Sequence, residues 1–429
     1  MDNENNNLVS RKELINNYIK VRNFSNKLAE PLEIEDYVIQ SMPDVSPTKW
    51  HLAHTSWFFE TFILSKLNQG YESPFPQYNY LFNSYYVQVG ERHSRPKRGL
   101  ISRPTVEEVY EYRTYIDEQT TEFLETCDET TLANILYVID TGIHHEQQHQ
   151  ELIVTDIKHV FSVNPLKPKY IESKKKNTNQ YVPDIKWKLF EGGIYSIGHN
   201  GNGFAYDNEI PIHKEYIEPF EFASRLITNG EYIEFIEDGG YQKPVLWLSD
   251  GRSKVEDNNW TAPFYWEKQD DKWHYFTLTG MREVDLAEPV CHVSHYEADA
   301  FARWYGARLP SESEWEIVSN ELKIEGNFVD NNNFHPSTIV DEQTDNNNPK
   351  QMFGDVWEWT SSPYSPYPGF KIAEGALGEY NGKFMCNQMV LRGGSCATSK
   401  SHIRRTYRNF FPSDARWQFM GIRLAKDAK

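Results

Sequence analysis

The stretch GIHHEQQHQEL, residues 142–152, carries His145 and His149 four positions apart. Residues at this spacing lie on one face of an α-helix, about one turn from each other. A helix over this stretch therefore presents two imidazoles in the same direction, which is the arrangement that two ligands of one metal ion need. Imidazole binds zinc, iron, nickel and copper, so the pair indicates a metal site without choosing the metal.

Apolar residues recur with helical spacing through the N-terminal part of the chain. Ser46 and Pro47 are typical residues for the start of a second helix, as N-cap and first helical residue, and Thr105 with Glu108 forms a T-x-x-E capping box before a third. Four helices with one long connection, residues 70–104, predict a four-helix bundle over residues 1–165. The predicted helices are 8–28, 48–69, 105–127 and 129–161.

A third metal ligand is expected from the second helix, where His51 and His54 lie three residues apart. The face that carries His54 continues through Phe58 and Phe62, so we prefer His54 as the ligand. His51 adjoins Trp50, and we expect it only to close the pocket. Most buried histidines are structural and spacing alone is not sufficient, but a second histidine-bearing helix strengthens the prediction of a metal site.

The same motif also reads as H-E-x-x-H, the pattern of zinc proteases, in which Glu146 would act as a general base. Against this alternative, no further glutamate or histidine follows at the spacings usual for those enzymes. In addition, Gln147 and Gln148 place amides rather than an acid between the two histidines.

Length, charge and cysteine content restrict the class of protein. A chain of 429 residues is long enough for two domains. The formal net charge of −18 disfavours nucleic acid and anionic membranes as partners. Four scattered cysteines, no apolar leader and no stretch of about 20 apolar residues predict a cytoplasmic protein without a disulfide framework.

The character of the sequence changes near residue 187. Residues 166–186 are polar and Lys-rich and are predicted to be a linker. Residues 187–429 consist of short aromatic-rich runs between Gly, Pro, Asn and Asp, which predicts a loop-rich domain with helices at 295–305 and near 313–320. Residues 325–350 are rich in Asn and Asp and are expected to form an exposed loop.

Several longer motifs resemble one family. SPTKWHLAHTSWFFETF (46–62), NSYYVQVGERHSRPKRGLISRP (83–104) and HHEQQHQEL (144–152) resemble the DinB-like domain of the ergothioneine-biosynthesis sulfoxide synthases. The later motifs resemble a formylglycine-generating-enzyme-like domain with a C-type-lectin-like fold. They are CHVSHYEADAFARWYGARLPSESEWE (291–316), GDVWEWTSS (354–362), LRGGSCAT (391–398) and GIRLA (421–425). The combination covers nearly the whole chain and implies an α+β protein.

The resemblance implies an enzyme that uses Fe(II) and O2 to join a thiol sulfur to C2 of the imidazole of hercynine (trimethylhistidine), giving a sulfoxide. It places the iron ligands on His54, His145 and His149. It also assigns Gln148, which could otherwise be an ordinary surface glutamine, to the betaine substrate and Asn409 to the hercynine carboxylate. A quaternary ammonium donates no hydrogen bond, so aromatic faces are its physical alternative partners.

Two departures from the family's pattern bear on the thiol. Members that use γ-glutamylcysteine carry an acid two residues after the asparagine, whereas Phe410 and Phe411 follow Asn409 here. In the family's Y-x-x-Y pattern the first tyrosine is catalytic. Leu377 occupies that position here, and only the second tyrosine, Tyr380, is present. The chain therefore resembles the branch that uses free cysteine.

In that branch a tyrosine pair takes over the missing role, which implies Tyr85 and Tyr86 as proton or hydrogen-bond donors, because phenols are protonated at neutral pH. Simple packing is the alternative for both. Arg95 and Arg98 follow, and a guanidinium matches a carboxylate in bidentate fashion. We expect them to hold the thiol substrate's carboxylate, the alternative being a solvated basic loop.

Other functions remain open from the sequence alone. Related synthases act on histidine or join a selenosugar to hercynine, and a protein of this architecture could instead bind a metal or ligand without catalysis. The GGSC motif holds Cys396 alone, so a two-cysteine copper site is not expected. The sequence does not predict the oligomeric state.

Overall fold

A computed structural model describes residues 10–68, 70–172, 181–339, 348–373 and 376–428. The chain divides into two compact units, Met1–Val160 and Phe161–Lys429. Residues 173–180 of the predicted linker lie outside the described residues, and the domain boundaries at 165 and 186 remain predictions. None of the described helices combines the length and apolar character needed to cross a bilayer.

The first unit is helical, as the apolar spacing predicted. Four predicted helices are present, with short helices and a π-helical turn, Glu60–Leu64, added between the second and third. The helices are α1 (Arg11–Ala29), α2 (Thr48–Phe59), α3 (Ser65–Leu67), α4 (Tyr78–Phe82), α5 (Val106–Thr126) and α6 (Glu129–Val163).

The helix starts show where local sequence rules hold and where they fail. The Thr105 side chain accepts from the Glu108 backbone N–H and the Glu108 side chain accepts in return, which confirms the predicted capping box of α5. The prediction for α2 was wrong by one position, because Pro47 is the N-cap. Ser46 instead accepts a hydrogen bond from Arg98 and donates its backbone N–H to Asp156, so tertiary contacts replace the cap.

The described residues of the second unit form short helices and four small sheets, whose strand orders are β1-β4-β12, β2-β3, β5-β6-β7 and β10-β9-β8-β11. The helices are α7 (Asn229–Glu237), α8 (Ser249–Asn258), α9 (His295–Tyr305) and α10 (Glu312–Ser319). The strands are β1 (Trp187–Phe190), β2 (Gly193–Ile197), β3 (His213–Ile217), β4 (Phe220–Ala223), β5 (Trp266–Gln269), β6 (Lys272–Thr277), β7 (Gly280–Glu283), β8 (Trp357–Pro363), β9 (Met389–Arg392), β10 (Asn409–Phe411), β11 (Met420–Gly421) and β12 (Ala425–Asp427).

The Asn-rich segment 325–350 is a correction to the sequence analysis. It was expected to be exposed, but Phe328, Val329, Phe334 and His335 are all buried. The Asn-rich composition gave a wrong prediction of exposure, because the asparagines lie beside apolar residues that are buried in the core. Residues 340–347 lie outside the described residues.

Candidate metal centre

Three histidines from two helices of the first unit form one buried cluster. His54 of α2 and His145 and His149 of α6 each offer a ring nitrogen, and these atoms all lie within 4.8 Å of one another. The relative exposures are 0%, 2% and 9%, so the cluster is shielded from bulk water. These are the three histidines that the sequence predicted as ligands, and the helical spacing explains why the two on α6 face the same point.

Hydrogen bonds orient the ring of His54. Its Nδ1 lies 2.6 Å from the Phe82 carbonyl oxygen, which can only accept, so Nδ1 carries the hydrogen. Nε2 is then a lone-pair donor, and it lies 3.1 Å from His145 Nε2. The close approach of these two nitrogens is the arrangement that two ligands of one ion require.

A fourth histidine lies beside the cluster without belonging to it. His51 Nδ1 is 2.8 Å from His149 Nδ1, and His51 Nε2 is 3.0 Å from Asp156 Oδ2. The sequence predicted that His51 would only close the pocket. The contact with Asp156 was missed, although Asp156 lies seven residues after His149 and thus on the same helical face.

Aromatic side chains form the wall of the cluster. Trp50 and Trp57 stack on the two sides of His54, with ring centroids 4.5 Å and 5.4 Å away, and Phe58 packs 4.9 Å from His145. Such a wall excludes water and keeps the imidazoles in the neutral form that binds metals.

The pKa shifts agree with that environment. Burial lowers the pKa of His145 to about 3, even though the neighbouring Glu146 charge acts in the opposite sense. Burial also lowers the pKa of His54 and His149 well below the usual histidine value. Three neutral nitrogen donors that leave further coordination positions open suit a divalent transition metal, and the donor set fits Fe(II).

Glu146 is committed to an ion-pair network. Its carboxylate accepts from Arg22 of α1 at 2.8 Å, from Arg113 of α5 at 2.6 Å and from Ser25 at 2.5 Å. Burial would raise the pKa of Glu146, but Arg113 and Arg22 outweigh it and lower the pKa to about 2. A carboxylate held by two guanidiniums is a poor general base, which argues against the zinc-protease alternative.

Tyr85 and Tyr86 lie next to the aromatic wall. Tyr86 is fully buried, with its ring 5.6 Å from Trp57 and 5.1 Å from Phe62. Tyr85 is half-buried and stacks on Tyr86 at 4.6 Å. Since Trp57 in turn stacks on His54, the tyrosine pair is one ring removed from a candidate ligand.

The two arginines predicted to bind the thiol substrate, Arg95 and Arg98, lie in different environments. Arg98 is buried, its guanidinium lies 3.3 Å over the Trp50 ring, and it donates to Ser46 Oγ at 2.9 Å and Ser84 Oγ at 3.0 Å. Arg98 forms no salt bridge within the part of the chain that the structure describes, and burial lowers its pKa. A buried guanidinium of this kind suits an anionic ligand. Arg95 is exposed and donates to the Asp44 carbonyl.

The other predicted substrate residues occupy two places. Gln148 is half-buried on α6, directly before His149. In the second unit, β10 contains Asn409, Phe410 and Phe411, and Phe410 stacks on Tyr364 at 4.0 Å. Their roles in binding remain predictions.

Comparisons with known proteins agree with this architecture. Residues 18–153 match the DinB superfamily, and residues 173–428 match the sulfatase-modifying factor enzyme 1-like domain. The chain is 28% identical to hercynine oxygenase of Mycolicibacterium smegmatis over 412 residues, which is 90% of this chain and 92% of that protein.

Two further relatives match over shorter spans. Hercynine oxygenase of Mycobacterium tuberculosis is 33% identical over 242 residues, 52% of this chain and 56% of that protein. Ergothioneine biosynthesis protein 1 of Schizosaccharomyces pombe is 29% identical over 237 residues, 52% of this chain and 28% of that protein. These two matches thus span about half or less of the relatives' own length.

A DinB-type helical unit with a buried three-histidine cluster, followed by a sulfatase-modifying-factor-type unit, defines the class of protein. The chain belongs to the family of ergothioneine-biosynthesis sulfoxide synthases that includes the hercynine oxygenases.

Proposed function

We propose that this protein joins the sulfur of cysteine to C2 of the hercynine imidazole in a reaction that depends on Fe(II) and O2. The C2–H and S–H bonds break, a C–S bond forms, and one oxygen atom enters the product as a sulfoxide. The second oxygen atom leaves as water with the two hydrogens, so the reaction needs no further reductant. The observation that carries the proposal is the buried cluster of His54, His145 and His149 in a chain of this family.

Fe(II) held by the three imidazoles would supply O2 activation and bring the two substrates together. The protein's own contribution is to keep those imidazoles neutral and correctly oriented. Trp50 and Trp57 exclude water from one ligand, and the Phe82 carbonyl fixes that ligand's tautomer. Gln148 and Asn409 are proposed to bind hercynine.

Arg98 is proposed to bind the carboxylate of the thiol substrate. Its burial, its lack of a described carboxylate partner and its place on the Trp50 ring, which itself stacks on His54, support this role. Exposed Arg95 is a weaker candidate for the same carboxylate and could steer it by charge. Phe410 and Phe411 supply no acceptor for the amino group of a γ-glutamyl moiety, which favours cysteine over γ-glutamylcysteine.

The preference between thiols is testable with the enzyme loaded with Fe(II). We expect kcat/KM for cysteine to exceed that for γ-glutamylcysteine by about tenfold or more, since one lost charge-assisted hydrogen bond costs about 1.5–3 kcal/mol. O2 uptake with saturating hercynine and each thiol in turn measures the ratio. The Phe411→Asp variant supplies an acid two residues after Asn409, and we expect it to reduce the ratio of kcat/KM for cysteine to kcat/KM for γ-glutamylcysteine. Faster turnover of γ-glutamylcysteine by the unaltered protein would contradict the assignment.

Tyr85 and Tyr86 are proposed to supply the proton or hydrogen bond that accompanies oxygen transfer. We expect the double variant Tyr85→Phe/Tyr86→Phe to form sulfoxide about 100-fold more slowly, the range usual for loss of a general acid. Iron content should stay unchanged, because neither phenol belongs to the cluster, and oxidation of the thiol to sulfinate is expected to rise.

The exposed Tyr80→Phe variant on α4 is the matched control for that experiment. It should retain the unaltered protein's rate and product ratio. Undiminished sulfoxide formation by the double variant would reject the role of the tyrosine pair.

A further inference from the structure

We propose that His51 and Asp156 form a hydrogen-bond relay that fixes the tautomer of His149 and so directs its Nε2 lone pair toward the metal. The relay deepens the proposed site and rests only on metal binding by the histidine cluster, not on the identity of the substrates. His51 and Asp156 are positioning residues, since each acts through a ligand rather than on the reacting atoms.

The relay starts at a buried carboxylate. Asp156 Oδ2 accepts the backbone N–H of Ser46 at 2.8 Å and lies 3.0 Å from His51 Nε2. An ionised carboxylate can only accept, so the hydrogen of this second contact belongs to His51 Nε2. The side chains of Asp156 and His51 are 4% and 2% exposed, so water does not compete for either group.

The second step follows from the chemistry of imidazole. A neutral ring has one N–H, so a hydrogen on Nε2 of His51 leaves Nδ1 as an acceptor. Nδ1 of His149 lies 2.8 Å away and must donate to it. His149 then carries its single hydrogen on Nδ1, and Nε2 is left with the lone pair that a metal ion needs. In a neutral His51, the opposite direction would place a bare Nε2 against the Asp156 carboxylate, which is repulsive.

The arrangement pairs one ligand with one relay residue on each helix. His51 lies one turn before His54 on α2, and Asp156 lies two turns after His149 on α6. His54 reaches the same tautomer more simply, by donating Nδ1–H to the Phe82 carbonyl. Such outer partners of metal-bound histidines typically change metal affinity by about 10–100-fold when removed.

Two amide variants of His51 separate the two contacts. An asparagine places its oxygen near the position of Nδ1 and still accepts from His149, whereas a glutamine reaches the position of Nε2 and meets only Asp156. We expect His51→Gln to weaken Co(II) binding by about 10–100-fold and His51→Asn to weaken it less. The probe is Co(II) alone, titrated against a chelator in the full chain without hercynine, thiol or O2.

Three further measurements distinguish a positioning role of His51 from a loss of the protein's fold in the variant. The His51→Gln variant should show an altered visible absorption spectrum of bound Co(II) and faster Co(II) release, with an unchanged melting temperature. His159→Gln, at a buried histidine of α6 that contacts Ser41, is the control and should bind Co(II) as the unaltered protein does. Asp156→Asn keeps the oxygen but removes the charge, and should weaken binding several-fold if both His51 variants fail to fold.

Unchanged Co(II) affinity and spectrum in folded His51→Gln, or in Asp156→Asn when the former does not fold, would overturn the relay. Equal weakening by His51→Gln and His51→Asn would overturn it as well, because the contact with His149 would then not decide the affinity. In both cases the proposed function would stand. Failure of the unaltered protein to bind Co(II) would instead overturn the metal site and the relay together.

Discussion

Replacing His145 by alanine is expected to reduce bound iron and sulfoxide formation to background. His145 Nε2 lies 3.1 Å from His54 Nε2, and its ring also contacts His149 at a centroid distance of 4.6 Å. Removing it takes away one of the three nitrogen donors and leaves two imidazoles, which bind a divalent ion poorly. Metal analysis after anaerobic reconstitution with Fe(II) measures the loss, and mass spectrometry of the product measures its consequence.

The adjacent histidine gives a matched control. His144 lies on α6 one residue before His145, is only half-buried and is not part of the cluster. His144→Ala should keep its iron and most of its activity. Full iron content in His145→Ala would mean that the three-histidine assignment is wrong.

Replacing Glu146 by alanine is expected to destabilise the protein by about 3–5 kcal/mol, the range observed when one partner of a buried ion pair is removed. The Glu146 carboxylate neutralises two buried guanidiniums, Arg22 and Arg113, which come from α1 and α5. Without it, both positive charges remain inside the bundle, and among the described residues Asp117 alone still forms an ion pair with Arg22. Urea unfolding monitored by circular dichroism measures the change in the free energy of unfolding.

The isosteric Glu146→Gln variant separates this structural role from catalysis. Its amide oxygen can still accept from one arginine, so we expect a smaller loss of stability than for alanine. The folded protein should retain its iron and most of its activity. Unchanged stability together with lost activity would favour the general-base role of the H-E-x-x-H interpretation.

The sequence predicted what depends on local spacing. The pair His145 and His149 follows from the helical repeat, and the capping box of α5 follows from two residues three positions apart. The preference for His54 over His51 rested on the continuation of an apolar face. The structure places His54 in the cluster and His51 beside it.

Contacts between residues distant in sequence could not be predicted. Arg22 lies 124 residues from Glu146, and His51 lies 105 residues from Asp156. Local rules cannot pair such groups, so the ion-pair network and the relay were missed. Ser46 was assigned to a helix cap for the same reason, because its actual partners, Arg98 and Asp156, come from elsewhere in the fold.

In the second unit, too, the local structure could be predicted from the sequence, whereas the pairing of distant strands could not. The helix His295–Tyr305 was predicted from its local sequence and is present. Strand pairing was not predicted, because β11 pairs with β8 in parallel across more than 50 residues. Short strands separated by long connections carry little periodicity from which such a pairing could be deduced.

The most direct test of the account is O2 uptake by the Fe(II)-reconstituted protein with hercynine and cysteine, followed by mass spectrometry of the product formed under ¹⁸O2. We predict uptake that requires both substrates, and a hercynine–cysteine adduct that carries one oxygen atom derived from O2. Iron bound at the three histidines without uptake in the presence of hercynine and any thiol would contradict the proposed reaction.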